Sequence, residues 1–201
     1  MLLPLFLRLE GRVVVVVGGG VVAERKIGEL LETGAVVRVV APRVTSGLEA
    51  LAREGRVSWT ERTFEEPDVE PAWLVYAATD DPAAQRLIAA ACEARQKLLV
   101  AIDDIPNATA FSASVIRRAP FTIALSSSGE APALTRLLRE VLESALPSER
   151  WITRARELRA AWRANRTPMS ERFPALLEAF VKDTQIMVPT PSSAGSPRDE
   201  R

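Results

Sequence analysis

The chain has 201 residues and is 47% hydrophobic, which is enough to bury one apolar core and a small appended domain. Its 26 basic residues balance its 26 acidic residues, so the gross charge favours neither a nucleic-acid partner nor a membrane partner. The chain has a single cysteine, Cys92, and no histidine, so we predict no disulfide framework and no resident metal. It has no apolar run near the roughly 18 residues of a membrane helix and no signal-peptide pattern, which predicts a soluble cytoplasmic protein.

Apolar strands alternate with helices over the first half of the chain. The five valines of Val13–Val17 predict a strand buried on both faces, and residues 21–32 predict a helix that ends at Gly34. Further strands are predicted in AVVRVVAP, RVSWTER, AWLVYAAT and LLVAI, and further helices in TSGLEALAREG and DDPAAQRLIAAACEARQK. This order predicts an α/β fold with a Rossmann-type parallel sheet and right-handed crossovers.

The pattern changes after about residue 105. Two strands are predicted without a helix between them, in AFSASVIRRAP and FTIALSSSG, and three helices follow in EAPALTRLLREVLESALP, SERWITRARELRAAWRAN and MSERFPALLEAFVKDTQIM. We therefore predict a nucleotide-binding domain over 1–110, a mixed segment over 111–147 and a small helical C-terminal domain over 148–187. The tail 188–201 is rich in Pro, Ser and Gly and is predicted to be disordered.

A glycine turn joins the first strand to the first helix. Gly18, Gly20 and Ala23 form the pattern G-x-G-x-x-A in the context that a dinucleotide-binding turn requires. The first glycine permits the tight turn, the second lets a pyrophosphate approach the backbone, and Ala23 keeps the helix close to the strand. The helix N-terminus would bind the phosphates. The competing interpretation is a plain turn that binds nothing.

An acidic residue is missing at the end of the second strand. An Asp or Glu about 20 residues after the turn usually binds the ribose hydroxyls, but Ala41, Pro42 and Arg43 stand there. One interpretation is a phosphorylated ribose beside Arg43. The other is an adenosine held by backbone and shape without the acid.

Four motifs in order, GGGVVAERK, AATDD, IDDIPNATAF and ALSSSGEAPALTRLLRE, resemble the precorrin-2 dehydrogenase and sirohydrochlorin ferrochelatase family, the N-terminal module of siroheme synthases. The resemblance covers nearly all of residues 4–185. It implies oxidation of precorrin-2 to sirohydrochlorin with NAD as cofactor. Many members also insert ferrous iron, which would enter as a substrate. Family members are homodimers, so the resemblance makes 111–147 a dimerisation segment.

The candidate cofactor-binding residues have three sources. The glycine pattern gives the turn itself, the resemblance gives Val21, Val22, Pro42 and Arg43, and the carboxyl end of the strand AWLVYAAT gives Thr79 and Asp80, which could contact the cofactor or a bound metal. The full set is Gly18, Gly19, Gly20, Val21, Val22, Ala23, Pro42, Arg43, Thr79 and Asp80. Because the family lacks the ribose acid, the resemblance favours NAD over NADP. For Asp80 and Asp81 a second interpretation is the N-cap of the next helix.

Asp104 is the catalytic residue that the resemblance implies. The essential aspartate of the family lies in a D-x-P-x-x-x-x-F stretch, matched here by Asp104, Pro106 and Phe111. The position follows a predicted parallel strand, where ligands bind in open α/β sheets, and a carboxylate there can accept a proton while NAD takes a hydride. The alternatives are Asp103 as the base and a turn aspartate with no chemical role. Members often carry Asn shortly before this aspartate, where this chain has Ala101.

A serine-rich loop is the candidate site for the tetrapyrrole substrate. By resemblance Ser126, Ser127, Ser128 and Gly129 border the macrocycle, with Ser128 replacing a usual glycine. Candidate arginines for the substrate carboxylates are Arg117 and Arg136, together with Arg118 and Arg139. The competing interpretations are an ordinary loop before a helix and a solvated charged face.

Overall fold

The computed structural model describes residues 2–102, 104–146 and 149–183. Its largest element is a five-stranded parallel sheet in the order β3-β2-β1-β4-β5. The strands are β1 (Val13–Val17), β2 (Val36–Val40), β3 (Ser58–Thr60), β4 (Leu74–Ala77) and β5 (Leu98–Ala101). The helices that alternate with them are α1 (Val21–Glu32), α2 (Ser46–Arg53) and α3 (Pro82–Ala94). The predicted Rossmann-type fold class is confirmed.

The valines of β1 explain the two-layer core. Val14 and Val16 pack into one buried cluster with α1 and α2, whereas Val15 and Val17 pack into a second cluster with α3. Alternate side chains of a strand point to opposite faces of a sheet, so a central strand covered on both faces must be apolar at every position. β1 lies between β2 and β4, where the strand order reverses. Ligands of open α/β sheets bind at such a point, beyond the carboxyl ends of the strands.

Local signals set the ends of the helices. Thr45 caps α2, because its hydroxyl oxygen accepts a hydrogen bond from the Leu48 N–H at 3.3 Å. Gly34 and Gly55 follow α1 and α2 with φ of +74° and +71°, the left-handed conformation that glycine adopts without strain. Asp81 caps α3 by accepting from the Ala83 N–H at 2.8 Å.

Some elements differ from the prediction. The strand expected in RVSWTER is reduced to β3. Two short 3₁₀ helices, Glu66–Val69 and Ile105–Asn107, were not predicted. The second begins directly after Asp104 and so shapes the loop that carries the candidate base.

The rest of the described chain forms a two-stranded sheet and three helices. They are β6 (Ser114–Arg118), β7 (Phe121–Leu125), α4 (Pro132–Ala145), α5 (Glu149–Ala164) and α6 (Met169–Asp183). Between α5 and α6, the rings of Trp151 and Phe180 lie 4.4 Å apart. No helix of the described ranges combines the length and apolar character that a membrane crossing requires.

The chain divides into two compact units. The first holds the described residues up to Val115 together with Ile123–Leu137, and the second holds Ile116–Thr122 and the described residues from Leu138 onward. The domain boundaries at 110 and 147 stay predictions. The predicted disordered tail, 188–201, lies outside the described residues.

Candidate functional site

The protein's own packing requires glycine at the first position of the turn. Gly18 has φ of +121°, and a Cβ there would overlap the carbonyl oxygen of Ala78, just past the end of β4. Its N–H donates to the Val40 carbonyl at 3.0 Å, which extends the β1–β2 ladder into the turn. The turn is therefore pressed against the ends of both neighbouring strands, as a dinucleotide-binding turn requires.

The second glycine holds the loop after β2 against the turn. A Cβ at Gly19 would overlap the carbonyl oxygen of Arg43, and the Gly19 carbonyl accepts from the Thr45 N–H at 2.9 Å. The Pro42–Arg43 pair, predicted to lie at the adenosine end of a cofactor, is thus held beside the turn. Both of its side chains are exposed.

The third glycine faces open space. A Cβ at Gly20 would meet no described heavy atom within 4 Å, so the packing of the described protein does not require glycine here. No side chain caps α1, and the backbone N–H of Glu24 is the first to return to Gly20, at 3.0 Å. The N–H groups that precede Glu24 in the first turn have no acceptor within the helix and point out of its N-terminal end. Such an arrangement binds phosphate.

The first turn of α1 presents apolar side chains to the outside. Val21 is 76% exposed and Val22 is 44% exposed, whereas Ala23 is fully buried against the core. The exposed apolar surface of these valines gains nothing from burial in the described fold, but a bound ligand would cover it.

A cleft of about 520 Å³ lies at the carboxyl ends of β4 and β5. It brings together four of the predicted residues: Val22, Thr79, Asp80 and Asp104. The cleft is completed by Ala78, Pro82, Gln85, Arg86, Ile102 and Asn107. Since Asp81 is the N-cap of α3, the exposed carboxylate of Asp80 is not used in that role.

Asp104 is half-buried at the wall of this cleft. Its Oδ2 accepts a hydrogen bond of 2.7 Å from the side-chain N–H of Asn107, in the 3₁₀ helix that follows. A polar partner is thus supplied from the C-terminal side of the aspartate, where Ala101 offers none from the N-terminal side. Asp103, the alternative base, lies outside the described residues.

Gln85 is a cleft residue that the sequence analysis missed. It is 7% exposed, and its Nε2 donates to the carbonyl oxygens of Thr79 at 2.8 Å and Ile102 at 3.5 Å. Its Oε1 is buried and has no hydrogen-bond partner among the described residues. Gln85 shares the buried face of α3 with Ile88, Ala91 and Cys92, and a polar residue on an otherwise apolar face was the signal that could have revealed it.

The serine loop lines a second pocket of about 260 Å³. Ser126, Ser127, Gly129 and Arg136 are among its lining residues. The Ser127 hydroxyl oxygen accepts from the Ala131 N–H at 3.1 Å and from the Thr135 hydroxyl at 2.9 Å, which fixes the start of α4. Ser128 has φ of +55° and an exposed side chain outside the pocket lining.

The serine loop lies against the loop of Asp104. Gly129 has φ of +85°, and a Cβ there would come within 2.7 Å of the Ile105 Cδ1 atom. Ile105 directly follows Asp104. The predicted substrate loop and the predicted base are therefore brought together in the first unit.

The candidate arginines differ in their surroundings. Arg136 lines the second pocket, whereas Arg117 is exposed on β6. In the second unit, Arg118 donates to the Leu146 carbonyl at 3.1 Å, and Arg139 pairs with Glu143 at 2.8 Å.

The described residues contain no group of three or more Cys, Asp or Glu side chains that could hold a metal ion. Cys92 is buried, and desolvation raises the pKa of its thiol from 9.0 to about 11, against the smaller lowering effects of Lys97 and Arg95. Its thiolate is therefore disfavoured as a ligand.

Comparisons with known proteins agree with this geometry. The model of the family described as "Putative NAD(P)-binding" matches residues 5–114. The chain is 42% identical over 176 residues to a siroheme synthase of Actinobacillus pleuropneumoniae serotype 3 (strain JL03), covering 88% of this chain and 35% of that protein. It is 46% identical over 146 residues to siroheme synthase 1 of Cronobacter sakazakii (strain ATCC BAA-894), covering 73% of this chain and 31% of that protein. The chain thus spans about a third of the length of these relatives.

A solved structure described as "SirC, precorrin-2 dehydrogenase" superposes with a TM-score of 0.72. The two sequences are 24% identical, and the match covers 88% of each chain. At that identity the likeness concerns the fold, and it extends past the parallel sheet into the C-terminal helices.

Proposed function

The chain belongs to the family described as "Putative NAD(P)-binding", and on this premise we propose that it uses NAD to oxidise precorrin-2 to sirohydrochlorin in siroheme synthesis. The observation that carries the proposal is the cleft in which Asp104 faces the loop after β4, beside the glycine turn. The identity to siroheme synthases over most of this chain supports the choice of substrate.

The residues of the glycine turn fit a dinucleotide. Gly20 leaves open space beside α1, and the uncapped N–H groups of that helix suit a pyrophosphate. Val21 and Val22 would be covered by the ligand, and Pro42 and Arg43 would lie at its adenosine end. Thr79 and Asp80 would line the path to the nicotinamide. Bound NAD would supply the hydride acceptor.

Asp104 is the proposed proton acceptor. Converting precorrin-2 to sirohydrochlorin removes a hydride and a proton, and the chain has no histidine to take the proton. Asn107 donates a hydrogen bond to Oδ2, and Oδ1 is the oxygen proposed to accept the proton.

The pocket beside the serine loop is the proposed site for substrate carboxylates. Ser126, Ser127 and Arg136 line it, and arginine suits recognition of carboxylates. The close approach of Gly129 to Ile105 supports a substrate that reaches both this pocket and Asp104.

The test is an anaerobic assay of the purified chain with precorrin-2. Sirohydrochlorin should form with NAD and not without it, at a rate proportional to the amount of protein. A strong preference for NADP would favour the phosphorylated-ribose interpretation of Arg43. Tight NAD binding without any turnover would instead favour a dinucleotide-responsive regulatory module.

Insertion of ferrous iron is a second candidate activity. Metal insertion also requires protons to leave the macrocycle, and Asp104 could accept them in both reactions. Iron would be a substrate here. To test this activity, ferrous ion is added after the oxidation has finished. Siroheme should then form faster than in a protein-free control.

A homodimer in the cytoplasm is part of the proposal. α4 exposes an apolar stripe with helical spacing: Leu134, Leu137, Leu138, Val141 and Leu142 are between 37% and 56% exposed. Such a stripe on a helix within the proposed dimerisation segment, 111–147, supports burial against a second copy. The buried, protonated Cys92 suits a reducing compartment.

A further inference from the structure

One side chain bridges the ends of the two strands that form the cleft. The backbone hydrogen bonds between β4 and β5 continue to Ile102, whose N–H donates to the Ala77 carbonyl at 3.0 Å. Beyond that point the carbonyl oxygens of Thr79 and Ile102 both accept from Gln85 Nε2, at 2.8 Å and 3.5 Å. The second bond is the longer and weaker of the two.

The two carbonyls belong to the loops that follow β4 and β5, and both residues line the cleft. Thr79 directly precedes Asp80, and Ile102 lies two positions before Asp104. Each hydrogen bond from Gln85 therefore acts on the backbone beside a carboxylate that lines the cleft. The amide belongs to α3, which packs into the core through Ile88, so its position is set by the fold and not by the loops.

The orientation of the amide is fixed. An amide oxygen turned toward two carbonyl oxygens would be repelled, so the nitrogen must face them. Oε1 then stays buried without a partner in the described part of the chain, which is unfavourable. An apolar side chain of similar length would avoid that cost. What glutamine adds at this position is its pair of N–H donors.

We propose that Gln85 is a positioning residue that sets the spacing between the Thr79–Asp80 loop and the Asp104 loop, and so holds the nicotinamide and the base in register. The inference rests on the proposed function for the identity of the ligand. The bridge itself concerns only the chain.

Gln85→Met removes both donors and keeps the length of the side chain. NAD should bind about tenfold more weakly to this variant, an effect of the size expected for lost hydrogen bonds to a loop. Hydrogen exchange should become faster in the segments 78–81 and 104–107 and stay unchanged in β2 and β3. The matched control is Leu87→Met, because Leu87 is 54% exposed on the same helix.

Gln85→Glu provides a conditional rescue. When protonated, the new carboxyl can donate to Thr79, and when ionised it can only repel both carbonyls. Burial and the nearby carboxylates, Asp80 and Asp104 in the cleft and Asp81 at the start of α3, favour the protonated form, whereas Arg86 favours the ionised form. NAD affinity should therefore be within about threefold of wild type near pH 5.5 and about tenfold weaker near pH 8.5. Gln85→Met should be equally weak at both pH values.

The outcomes separate the bridge from the proposed function. Wild-type NAD affinity and unchanged exchange in Gln85→Met would overturn the positioning role. A Gln85→Glu variant whose NAD affinity relative to wild type does not depend on pH would overturn it even if Gln85→Met failed to fold. If wild type binds NAD and the bridge behaves as expected but precorrin-2 is not oxidised, the proposed function fails and the role of Gln85 stands.

Discussion

At the residue scale, the three positions of the turn are glycine for different physical reasons. Gly18 and Gly19 are required because a Cβ would overlap backbone atoms of Ala78 or Arg43. Gly20 has no such neighbour among the described residues, so the ligand is the best reason for its small size. A single motif therefore combines two folding constraints with one binding constraint.

This distinction predicts different results for two alanine substitutions. Gly18→Ala should lower the free energy of unfolding by about 2–4 kcal/mol, because it combines an unfavourable φ with a backbone overlap. Gly20→Ala should lower it by no more than about 1 kcal/mol but weaken NAD binding about tenfold. Urea unfolding and calorimetric titration with NAD measure the two effects. A Gly20→Ala variant that binds NAD as well as wild type would contradict the account of the turn.

Cys92 should be nearly inert in the folded protein. Burial raises the pKa of its thiol to about 11, so little thiolate exists near neutral pH. A disulfide reagent such as DTNB at pH 8 should react at least about 100-fold more slowly with the native chain than with the urea-unfolded chain. As pH rises past 9.0, the thiol ionises in the unfolded chain before it ionises in the folded chain. The free energy of unfolding should therefore fall between pH 9.0 and about pH 11. Rapid labelling under native conditions would contradict this.

At the element scale, an ion pair fixes the 3₁₀ helix Glu66–Val69. Asp68 accepts from two nitrogens of Arg62 at 2.6 and 2.8 Å and from the Glu65 N–H at 2.8 Å. Burial raises the pKa of Asp68. The hydrogen bonds from Arg62 and Glu65 and the charge of Arg62 together lower it by more than burial raises it, so the pKa is lowered overall. The ionised carboxylate therefore stabilises the folded state.

The sign of that shift sets a pH dependence. Asp68→Asn should lower the melting temperature at neutral pH, where wild-type Asp68 is ionised in both the folded and the unfolded chain. The difference should shrink as pH falls below 3.8, because the stabilisation is lost as the folded carboxylate takes up a proton. Melting curves of both proteins across this range provide the measurement. A difference that grows on acidification would contradict the assigned role.

Element ends with a local chemical signal could be predicted from the sequence. Gly34 follows α1 with a positive φ, where the turn chemistry of glycine predicted the end of the helix. The sequence did not show whether Asp80 or Asp81 caps α3, since either carboxylate could do so. The cap is Asp81, because the backbone conformation places its carboxylate at the start of the helix. The bridge from Gln85 could not be predicted, because it depends on two carbonyls that are 6 and 17 residues away.

At the scale of the whole molecule, the sheet could be predicted because each strand is apolar and each crossover has a helix. The meeting of the serine loop with the loop of Asp104 could not, because it depends on the tertiary contact between Gly129 and Ile105. Motif order and the resemblance supplied the candidate residues. Their arrangement in space came only from the fold.

The exposed stripe of α4 predicts association. Leu138→Glu should shift the proposed dimer toward monomer in sedimentation velocity at micromolar concentration, because a charge would replace an apolar contact worth about 1.5–3 kcal/mol in each copy. Leu87→Glu is the matched control, since Leu87 is similarly exposed on α3. A wild-type chain that sediments as a monomer at these concentrations would contradict the homodimer.

The most direct measurement of the central claim compares Asp104→Asn with wild type in the anaerobic oxidation of precorrin-2, with NAD affinity measured in parallel. The account predicts a loss of at least about 100-fold in kcat, the size expected for losing a general base, with NAD affinity within about twofold of wild type. Asp81→Asn, which preserves the N-cap of α3, should leave both quantities unchanged. Oxidation by Asp104→Asn at the wild-type rate would contradict the account.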